Sequence, residues 1–325
     1  MKVLVTSATP DSLNTNARIR SFVSEGFSEI LGRDLVKSSP LELSVSATLS
    51  FRPDLVLTLG SLVPDQSPLR QLRRAADAVG SQLGLWLHED PYEFDYAFKA
   101  ELTADVIFSN DSWAARHYRH DRIHHLPLAA SPRHHFRPLK PMAERSLTVF
   151  FCGVAYPNRI ELLRRADALL SRHPVAILGS DWPSDIRCAF NRRLTASEMA
   201  DHAQDACLTL NLGRDMNIAN RRYQLPQATP GPRTFEVALS GSPQLYFING
   251  LEIGDHFTLD AEILPFDSVT DIARAIERTV DEPQEIYAIA QRAQIRALAE
   301  HTYVHRARSI LDACRPGAAW KSDAA

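Results

Sequence analysis

The chain has 325 residues, about twice the length of one average domain, so two domains are the first expectation. Hydrophobic residues make up 45% and charged residues 23%, which is globular composition and excludes a disordered, collagen-like or coiled-coil chain. The 36 basic and 39 acidic side chains leave a net charge of -3, which indicates neither a nucleic-acid partner nor an anionic membrane surface. No apolar run approaches the roughly 18 residues of a membrane span, and the apolar start is too short for a signal peptide. We therefore expect a cytoplasmic protein with no membrane span.

Short apolar runs alternate with helical patterns along the first half of the chain. The run 54–60 is largely apolar and ends in glycine, which is typical of a parallel strand buried on both faces. Further strands are predicted at 3–5, 83–88 and 105–109, with helices around 19–27, 69–79 and 112–118. Such alternation predicts βαβ units and a parallel sheet, in which ligands bind at the carboxyl ends of the strands.

Residues 116–137 differ in composition from the sequence on either side. They contain six of the twelve histidines, and prolines 127, 132, 138 and 141 lie in or just after the stretch. A metal site is one interpretation of these histidines, but no cysteine is near and nothing indicates that the rings converge. We interpret the stretch as a solvated linker between two domains. The four cysteines form no C-x-x-C pair, so we expect reduced thiols rather than a zinc site or disulfides.

A second α/β series follows the linker. Strands are predicted at 147–153, 175–179, 208–212 and 244–247, and helices at 159–170, 233–240 and 283–311. Ser268 and Asp271 have the spacing of a capping box, which predicts that a further helix begins there. Two such halves are typical of enzymes with two Rossmann-like domains, although periplasmic binding proteins share this plan. The predicted domains are 1–140, 141–285 and a C-terminal helix and tail over 286–325. Packing of that helix back onto the first domain is one arrangement for it.

Three segments carry a resemblance to a known family. They are 86–92 with 104–111, 149–159, and 233–243 with the more distant 300–306. Together they resemble the CgeB (spore-maturation-like) glycosyltransferases, a bacterial group of GT-B type related to the family-4-like glycosyltransferases, over roughly residues 84–311. The resemblance implies an α/β fold with two Rossmann-like domains facing across a cleft. It also implies a nucleotide-diphosphate sugar as donor, bound by the second domain without a metal ion, and an acceptor hydroxyl or amine bound by the first.

Two arginines are the first candidates for binding the donor. Arg233 and Arg159 both stand at the start of a predicted helix, where the planar guanidinium and the helix dipole favour a diphosphate. The resemblance implies that Glu236, one turn after Arg233, accepts hydrogen bonds from the ribose hydroxyls. Ordinary solvated or capping arginines, and a surface ion pair between Arg233 and Glu236, are the alternative interpretations.

The remaining donor candidates are small or polar residues in the matched segments and after predicted strands. They are Gly153, Asn158, Gly179, Asn211 and Thr234. Gly153 would let the backbone approach the phosphates, while Gly179 and Asn211 would flank the nucleobase. Tight turns explain the glycines equally well.

The catalytic candidates follow a buried strand of the first half. They are His88, Glu89 and Asp90, with Asp11 in the first loop as an alternative base or acceptor contact. An inverting transferase needs a general base beside the acceptor, whereas a retaining one does not. The family commonly has two acids before the proline, and here His88 precedes them. A capping turn that ends the strand is the alternative.

The function predicted from the sequence is therefore a metal-independent glycosyltransferase. A nucleotide-sugar epimerase or hydrolase of the same fold, and a catalytically silent nucleotide-binding scaffold, are the alternatives. The sequence does not indicate the oligomeric state.

Overall fold

The computed structural model describes residues 1–11, 17–62, 65, 67–248 and 252–315. The chain forms two compact units. Unit 1 comprises Met1–Leu128, Asn217–Thr229 and the chain from Tyr303 onward, and unit 2 comprises Ala129–Met216 and Pro230–Thr302. The division differs from the predicted domains, because unit 1 ends earlier and takes in two later segments.

Unit 1 is built on a sheet of six parallel strands in the order β2-β1-β3-β4-β5-β6. Leu55, Val56 and Leu57 in β3 are all fully buried, as the apolar run predicted for a strand with both faces covered. Its strands and helices are β1 (Val3–Ser7), α1 (Ala17–Leu31), β2 (Val36–Ser38), α2 (Leu41–Phe51), β3 (Leu55–Gly60), α3 (Ser67–Val79), β4 (Gln82–Leu87), α4 (Ala97–Glu101), β5 (Val106–Ser109), α5 (Ser112–His117), β6 (Ile123–His125) and, from the end of the chain, α13 (Tyr303–Ala313).

Unit 2 repeats this plan with the strand order β12-β11-β10-β7-β8-β9, again with all pairs parallel. Successive side chains of a strand point to opposite faces, so the neighbours Phe150 and Phe151 enter different hydrophobic clusters and both faces are covered. Its elements are α6 (Pro132–His135), β7 (Leu147–Val154), α7 (Pro157–Leu170), β8 (Val175–Ser180), β9 (Ala189–Phe190), α8 (Ala196–Gln204), β10 (Ala206–Asn211), α9 (Pro232–Leu239), β11 (Gln244–Phe247), α10 (Ile253–His256), β12 (Leu264–Phe266), α11 (Val269–Asp281) and α12 (Pro283–Glu300).

The predicted start of α11 is confirmed. The Ser268 hydroxyl accepts from the Asp271 backbone N–H, and the Asp271 carboxylate accepts from the Ser268 backbone N–H, so both halves of the capping box are present. The predicted long C-terminal helix is two helices, α12 and α13, which belong to different units. The four cysteines form no disulfide in the structure. Within the described ranges, no helix is long and apolar enough to cross a membrane.

The 217–229 segment belongs to unit 1 although it follows β10 in the chain. Backbone carbonyls and carboxylates of unit 1 hold it in place. The Tyr92 carbonyl accepts from the N–H groups of Ile218 and Ala219 at 3.0 and 2.8 Å. The Asp95 carboxylate accepts from the N–H groups of Arg221 and Arg222. The Asp111 carboxylate accepts from the last two N–H groups of the segment at 2.8 and 3.2 Å.

Helices α1 and α13 of unit 1 approach each other at a glycine. A Cβ built on Gly26 would lie 2.5 Å from the Tyr303 carbonyl oxygen, so no larger residue fits without a backbone shift. The Tyr303 ring is buried beside Phe22 and Trp86, at centroid distances of 5.9 and 6.3 Å. The C-terminal helix is thus part of the unit 1 core.

We predict that Gly26→Ala lowers the free energy of unfolding by about 2 kcal/mol, because the new methyl group overpacks the α1–α13 contact. Urea unfolding followed by circular dichroism measures the change. Gly254→Ala in α10 is the matched control, since a Cβ there meets no heavy atom within 4 Å. Equal unfolding midpoints for wild type and Gly26→Ala would contradict the packing argument.

Candidate functional site

The predicted donor residues converge on the carboxyl edge of the unit 2 sheet. Gly153 lies near the end of β7, Gly179 near the end of β8, and Asn211 at the end of β10. Helix α9 carries Arg233 and Thr234 in its first turn. Because these strands are parallel, their carboxyl ends share one edge, which is where ligands of open α/β sheets bind.

Gly179 is required by the approach of β7 to β8, whereas a Cβ on Gly153 would lie 2.8 Å from the Arg159 guanidinium. Gly153 and Gly179 are register partners, and Gly179 has a φ of +153°. A Cβ on Gly179 would lie 1.8 Å from the Gly153 carbonyl oxygen, which excludes any side chain. The interpretation of these glycines as structural residues is therefore sufficient, and a direct phosphate contact is not needed to explain them.

Asn158 and Arg159, at the start of α7, hold the loop that follows β10. The Arg159 guanidinium donates to the carbonyls of Val154, Leu212 and Gly213 at 3.0, 2.7 and 3.0 Å. The Asn158 amide donates to the same Gly213 carbonyl at 3.2 Å. The geometry thus assigns both residues to positioning this loop, whereas the sequence analysis expected Arg159 to bind the diphosphate.

The start of α9 is anchored by three buried polar side chains. The Asn211 amide donates to the Thr234 hydroxyl at 2.8 Å and to the Gln244 amide oxygen at 3.1 Å. Gln244 in turn donates to the Thr234 carbonyl at 2.8 Å. All three residues are at most 7% exposed, so the geometry favours a role of Asn211 and Thr234 in fixing the helix start over the predicted donor contacts. Gln244 was missed by the sequence analysis, although a glutamine that opens an apolar strand was a signal.

The N-terminus of α9 presents a positive end with no side-chain cap. Gly231 occupies the N-cap position and Pro232 the first helical position, and the first turn contains no acidic residue. A Cβ on Gly231 would meet no heavy atom within 4 Å, so the space before the helix is open. Pro232 has no N–H and the Thr234 N–H donates to the Gly231 carbonyl at 3.1 Å, so the Arg233 N–H and the helix dipole are what favour an anion at this site.

Arg233 and Glu236 face the same region from the first turns of α9. An Arg233 Nη atom donates to one Glu236 carboxylate oxygen at 2.8 Å, and the two side chains are 36% and 14% exposed. The other carboxylate oxygen lies 3.7 Å from Nε2 of His135, which is 1% exposed. His135 belongs to the stretch predicted as a solvated linker, and for this residue the prediction was wrong. Cys152 also lies near, since the charges of Arg233, Glu236 and Arg159 act on the pKa of its thiol, which burial raises.

Among the described residues, no group of three or more histidine, cysteine, aspartate or glutamate side chains is arranged to hold a metal ion.

The predicted catalytic residues follow β4 in unit 1, and two of the three are buried. His88 is 3% exposed and lies edge-on to Trp86 at a centroid distance of 5.1 Å. Burial lowers its pKa to about 3, so the ring is neutral. Asp90 is 2% exposed and accepts hydrogen bonds from Ser109 and Tyr118. Neither has the exposure of a base that meets an acceptor, whereas Glu89 is partly exposed.

Glu93 is a second buried carboxyl in this region and was missed by the sequence analysis. It is fully buried and accepts from the Ser61 hydroxyl and the Leu62 backbone N–H, both at 2.5 Å. Burial raises its pKa to about 7 and that of Asp90 to about 8. The Glu93 carboxyl thus holds the loop after β3 at the carboxyl edge of the unit 1 sheet.

Asp11 is held in an ion pair. Its carboxylate accepts from two Arg20 nitrogens at 2.5 and 2.7 Å, and Arg20 also donates to the Ser7 hydroxyl at 2.9 Å. The Arg20 hydrogen bonds lower the pKa of Asp11. A carboxylate stabilised in this way is a weaker base, so the geometry favours a structural role over the predicted catalytic one.

We predict that Asp90→Asn reduces the pH dependence of stability. Because the pKa of Asp90 is raised from 3.8 to about 8, the folded chain keeps a proton that the unfolded chain releases. The free energy of unfolding therefore falls as the pH rises from about 4 to about 8. Asparagine still accepts from Ser109 and Tyr118 but has no such proton. Urea unfolding between pH 5 and 8 should show a smaller fall for Asp90→Asn than for wild type or the exposed control Asp281→Asn. Equal slopes for all three would contradict the prediction.

Comparisons with known proteins agree with this fold. Residues 159–312 match the model of the glycosyl transferase-like family. Spore protein CgeB of Bacillus subtilis (strain 168) is 25% identical over 152 residues, which are 46% of this chain and 45% of CgeB, so the match spans less than half of that relative. Anabaena HepE, solved with UDP-glucose, is 12% identical with a TM-score of 0.63, over 96% of this chain and 99% of HepE. An α-glucosyltransferase solved with UDP and a 13-mer DNA is 11% identical with a TM-score of 0.70, over 97% and 99% of the two chains. The predicted GT-B fold and the resemblance to the CgeB-like glycosyltransferases are thereby confirmed.

Proposed function

We propose that this chain is a cytoplasmic, metal-independent glycosyltransferase that moves a sugar from a nucleoside-diphosphate donor to an acceptor hydroxyl or amine. The observation that carries the proposal is the uncapped N-terminus of α9, with Arg233 and Glu236 beside it at the carboxyl edge of the unit 2 sheet. This helix lies within the part of the chain that matches the glycosyl transferase-like family.

The diphosphate of the donor binds at the start of α9. Its oxygens accept from the Arg233 backbone N–H, and the Arg233 guanidinium supplies a full positive charge with two parallel donors. These groups stabilise the charge that develops on the leaving diphosphate as the glycosidic bond breaks. A helix dipole and an arginine provide this stabilisation without a divalent cation, which is why we propose a metal-independent reaction.

Glu236 binds the ribose of the donor nucleotide. An ionised carboxylate accepts hydrogen bonds on two oxygens and so matches the two vicinal hydroxyls of a ribose. In the structure Glu236 is paired with Arg233 and is mostly buried, which keeps both side chains ordered before a ligand arrives. A diphosphate that draws Arg233 toward its oxygens leaves the carboxylate for the sugar hydroxyls.

The acceptor binds to unit 1. Its oxygen or nitrogen attacks the anomeric carbon, the bond from that carbon to the phosphate oxygen breaks, and the nucleoside diphosphate leaves with the bonding electrons. If the configuration inverts, Glu89 takes the acceptor proton, since it is the partly exposed member of the predicted triplet. If it is retained, no protein base is required, because the leaving phosphate oxygen takes the acceptor proton.

The first experiment is a thermal-shift screen against UDP, GDP, dTDP, ADP and CMP, each with EDTA and with magnesium. A ligand that binds the folded chain raises the unfolding midpoint by several degrees when its concentration is about a hundred times its Kd. We expect one nucleoside diphosphate to do so equally in EDTA and in magnesium. A shift that requires magnesium would contradict metal independence, and no shift with any nucleotide would contradict the proposal itself.

Incubation of the chain with the matching nucleotide sugar alone separates the same-fold alternatives. A transferase should leave the sugar donor largely unchanged until an acceptor is added. Conversion of the donor without acceptor indicates an epimerase or hydrolase, and binding without any turnover in the presence of varied acceptors indicates a scaffold.

We predict that Arg233→Ala and Glu236→Ala each weaken binding of the stabilising nucleoside diphosphate by about tenfold or more, because each removes charge-assisted hydrogen bonds. Isothermal titration calorimetry measures the affinities. Arg274→Ala in α11 is the matched control, since Arg274 also pairs with an acid at i,i+3 spacing but is 71% exposed on its own helix. Unchanged affinity in both α9 variants would contradict the site assignment.

A further inference from the structure

His135 lies behind the carboxylate that the proposed donor site uses for the ribose. It ends the short helix α6, and its side chain is 1% exposed. Its Nε2 atom is 3.7 Å from Oε1 of Glu236, while Arg233 donates to Oε2 of the same carboxylate at 2.8 Å. At 3.7 Å the histidine contact is electrostatic, slightly longer than a hydrogen bond. One carboxylate oxygen thus faces the arginine and the other faces the histidine.

The hydrogen bonds of the ring indicate which nitrogen carries the proton. Nδ1 lies 3.1 Å from both the Ser131 backbone nitrogen and the Ser131 carbonyl oxygen, so it either accepts from the N–H or donates to the carbonyl. The Ser131 carbonyl, the other polar group near Nδ1, already accepts from the backbone N–H groups of His134 and His135 at 3.1 and 2.9 Å. Burial lowers the pKa of His135, so the ring is neutral near pH 7 and has one N–H. With Nδ1 as acceptor, that N–H is on Nε2 and faces Glu236.

The backbones on both sides of this contact are tied together. The Ser240 hydroxyl at the end of α9 lies 2.8 Å from the Glu236 carbonyl and 3.1 Å from the His135 carbonyl. The α6 turn therefore has a fixed position against α9. A buried ring on a fixed turn is a preorganised donor, since little rotational freedom remains to be lost when the ligand binds.

We propose that His135 is a positioning residue for the nucleotide donor, holding the Glu236 carboxylate in the orientation that accepts the ribose hydroxyls. The inference rests on the proposed function. Without the histidine, Glu236 has Arg233 as its neighbouring cation and turns toward it. With the histidine, one oxygen stays directed inward and the carboxylate plane remains open to a diol.

Two substitutions test the roles of the two ring nitrogens separately, the donor at Nε2 and the acceptor at Nδ1. His135→Asn keeps a carbonyl oxygen near the position of Nδ1, for the Ser131 N–H, but has no group that reaches Glu236. His135→Gln places its amide nitrogen near the position of Nε2 and so keeps the donor. Both are neutral and smaller than the ring, so general effects of the cavity are shared by the pair.

Calorimetric titration with UDP and 2′-deoxyUDP tests the inference, since the two ligands differ by one ribose hydroxyl. We expect wild type to prefer UDP by about tenfold, the factor lost with one good hydrogen bond to a charged group. His135→Asn should lose most of this preference while its affinity for 2′-deoxyUDP changes by no more than about twofold. His135→Gln should keep most of the preference, and Glu236→Gln should lose it with no further loss when His135→Asn is added.

The outcomes distinguish this inference from the function on which it rests. If wild type binds GDP or ADP instead of UDP, the ribose and 2′-deoxyribose diphosphates of that base replace the UDP pair, and wild type that binds no nucleoside diphosphate overturns both. If wild type prefers UDP and a folded His135→Asn variant keeps the full preference, His135 has no positioning role, while the proposed function still stands. If His135→Asn weakens the binding of UDP and of 2′-deoxyUDP by the same factor, the histidine has only a structural role, and the inference is also overturned. If His135→Asn does not fold, His135→Gln decides, because loss of the UDP preference in that folded variant contradicts a donor role.

Discussion

The position of helix α9 depends on one buried polar network. Asn211, Thr234 and Gln244 bond to one another where the strands β10 and β11 meet the first turn of the helix. Each would cost free energy if it were buried alone, so the three are stable in a mutually bonded arrangement that fixes where the helix begins. The first-turn N–H groups, Arg233 and Glu236 all take their positions from that start.

The polar side chains around the start of α9 therefore fall into two groups, those that hold the backbone and those that we propose to meet a ligand. Side chains on β10, β11 and α7 hold the backbone, because their polar groups are occupied by other parts of the chain. Arg159 is the clearest case, with three backbone carbonyls on its guanidinium. The groups that we propose to meet a ligand are those on the α9 turn, whose N-terminus has no side-chain cap. The same distinction holds in unit 1, where buried carboxyls shape the loops and Glu89 remains partly exposed.

The sequence predicted the elements whose signal is local. Apolar runs predicted the parallel strands, the Ser268–Asp271 pattern predicted a helix start, and the segment around Arg233 lies in the part of the chain that matches the glycosyl transferase-like family. It could not show whether Arg159 faces a phosphate or three carbonyls, because those partners lie more than 50 residues away for two of the bonds. It also could not predict that His135 is buried, or that the 217–229 segment joins unit 1 through Asp95 and Asp111. These depend on contacts between distant parts of the chain, which composition and periodicity do not encode.

The central claim is that the first turn of α9 binds a nucleoside diphosphate with the ribose on Glu236. A crystal structure of the complex with UDP tests it most directly. The account predicts phosphate oxygens within hydrogen-bond distance of the Arg233 backbone N–H and guanidinium, with the ribose hydroxyls on the Glu236 carboxylate. Ordered UDP bound elsewhere, with the α9 turn and Glu236 making no contact to it, would contradict the account.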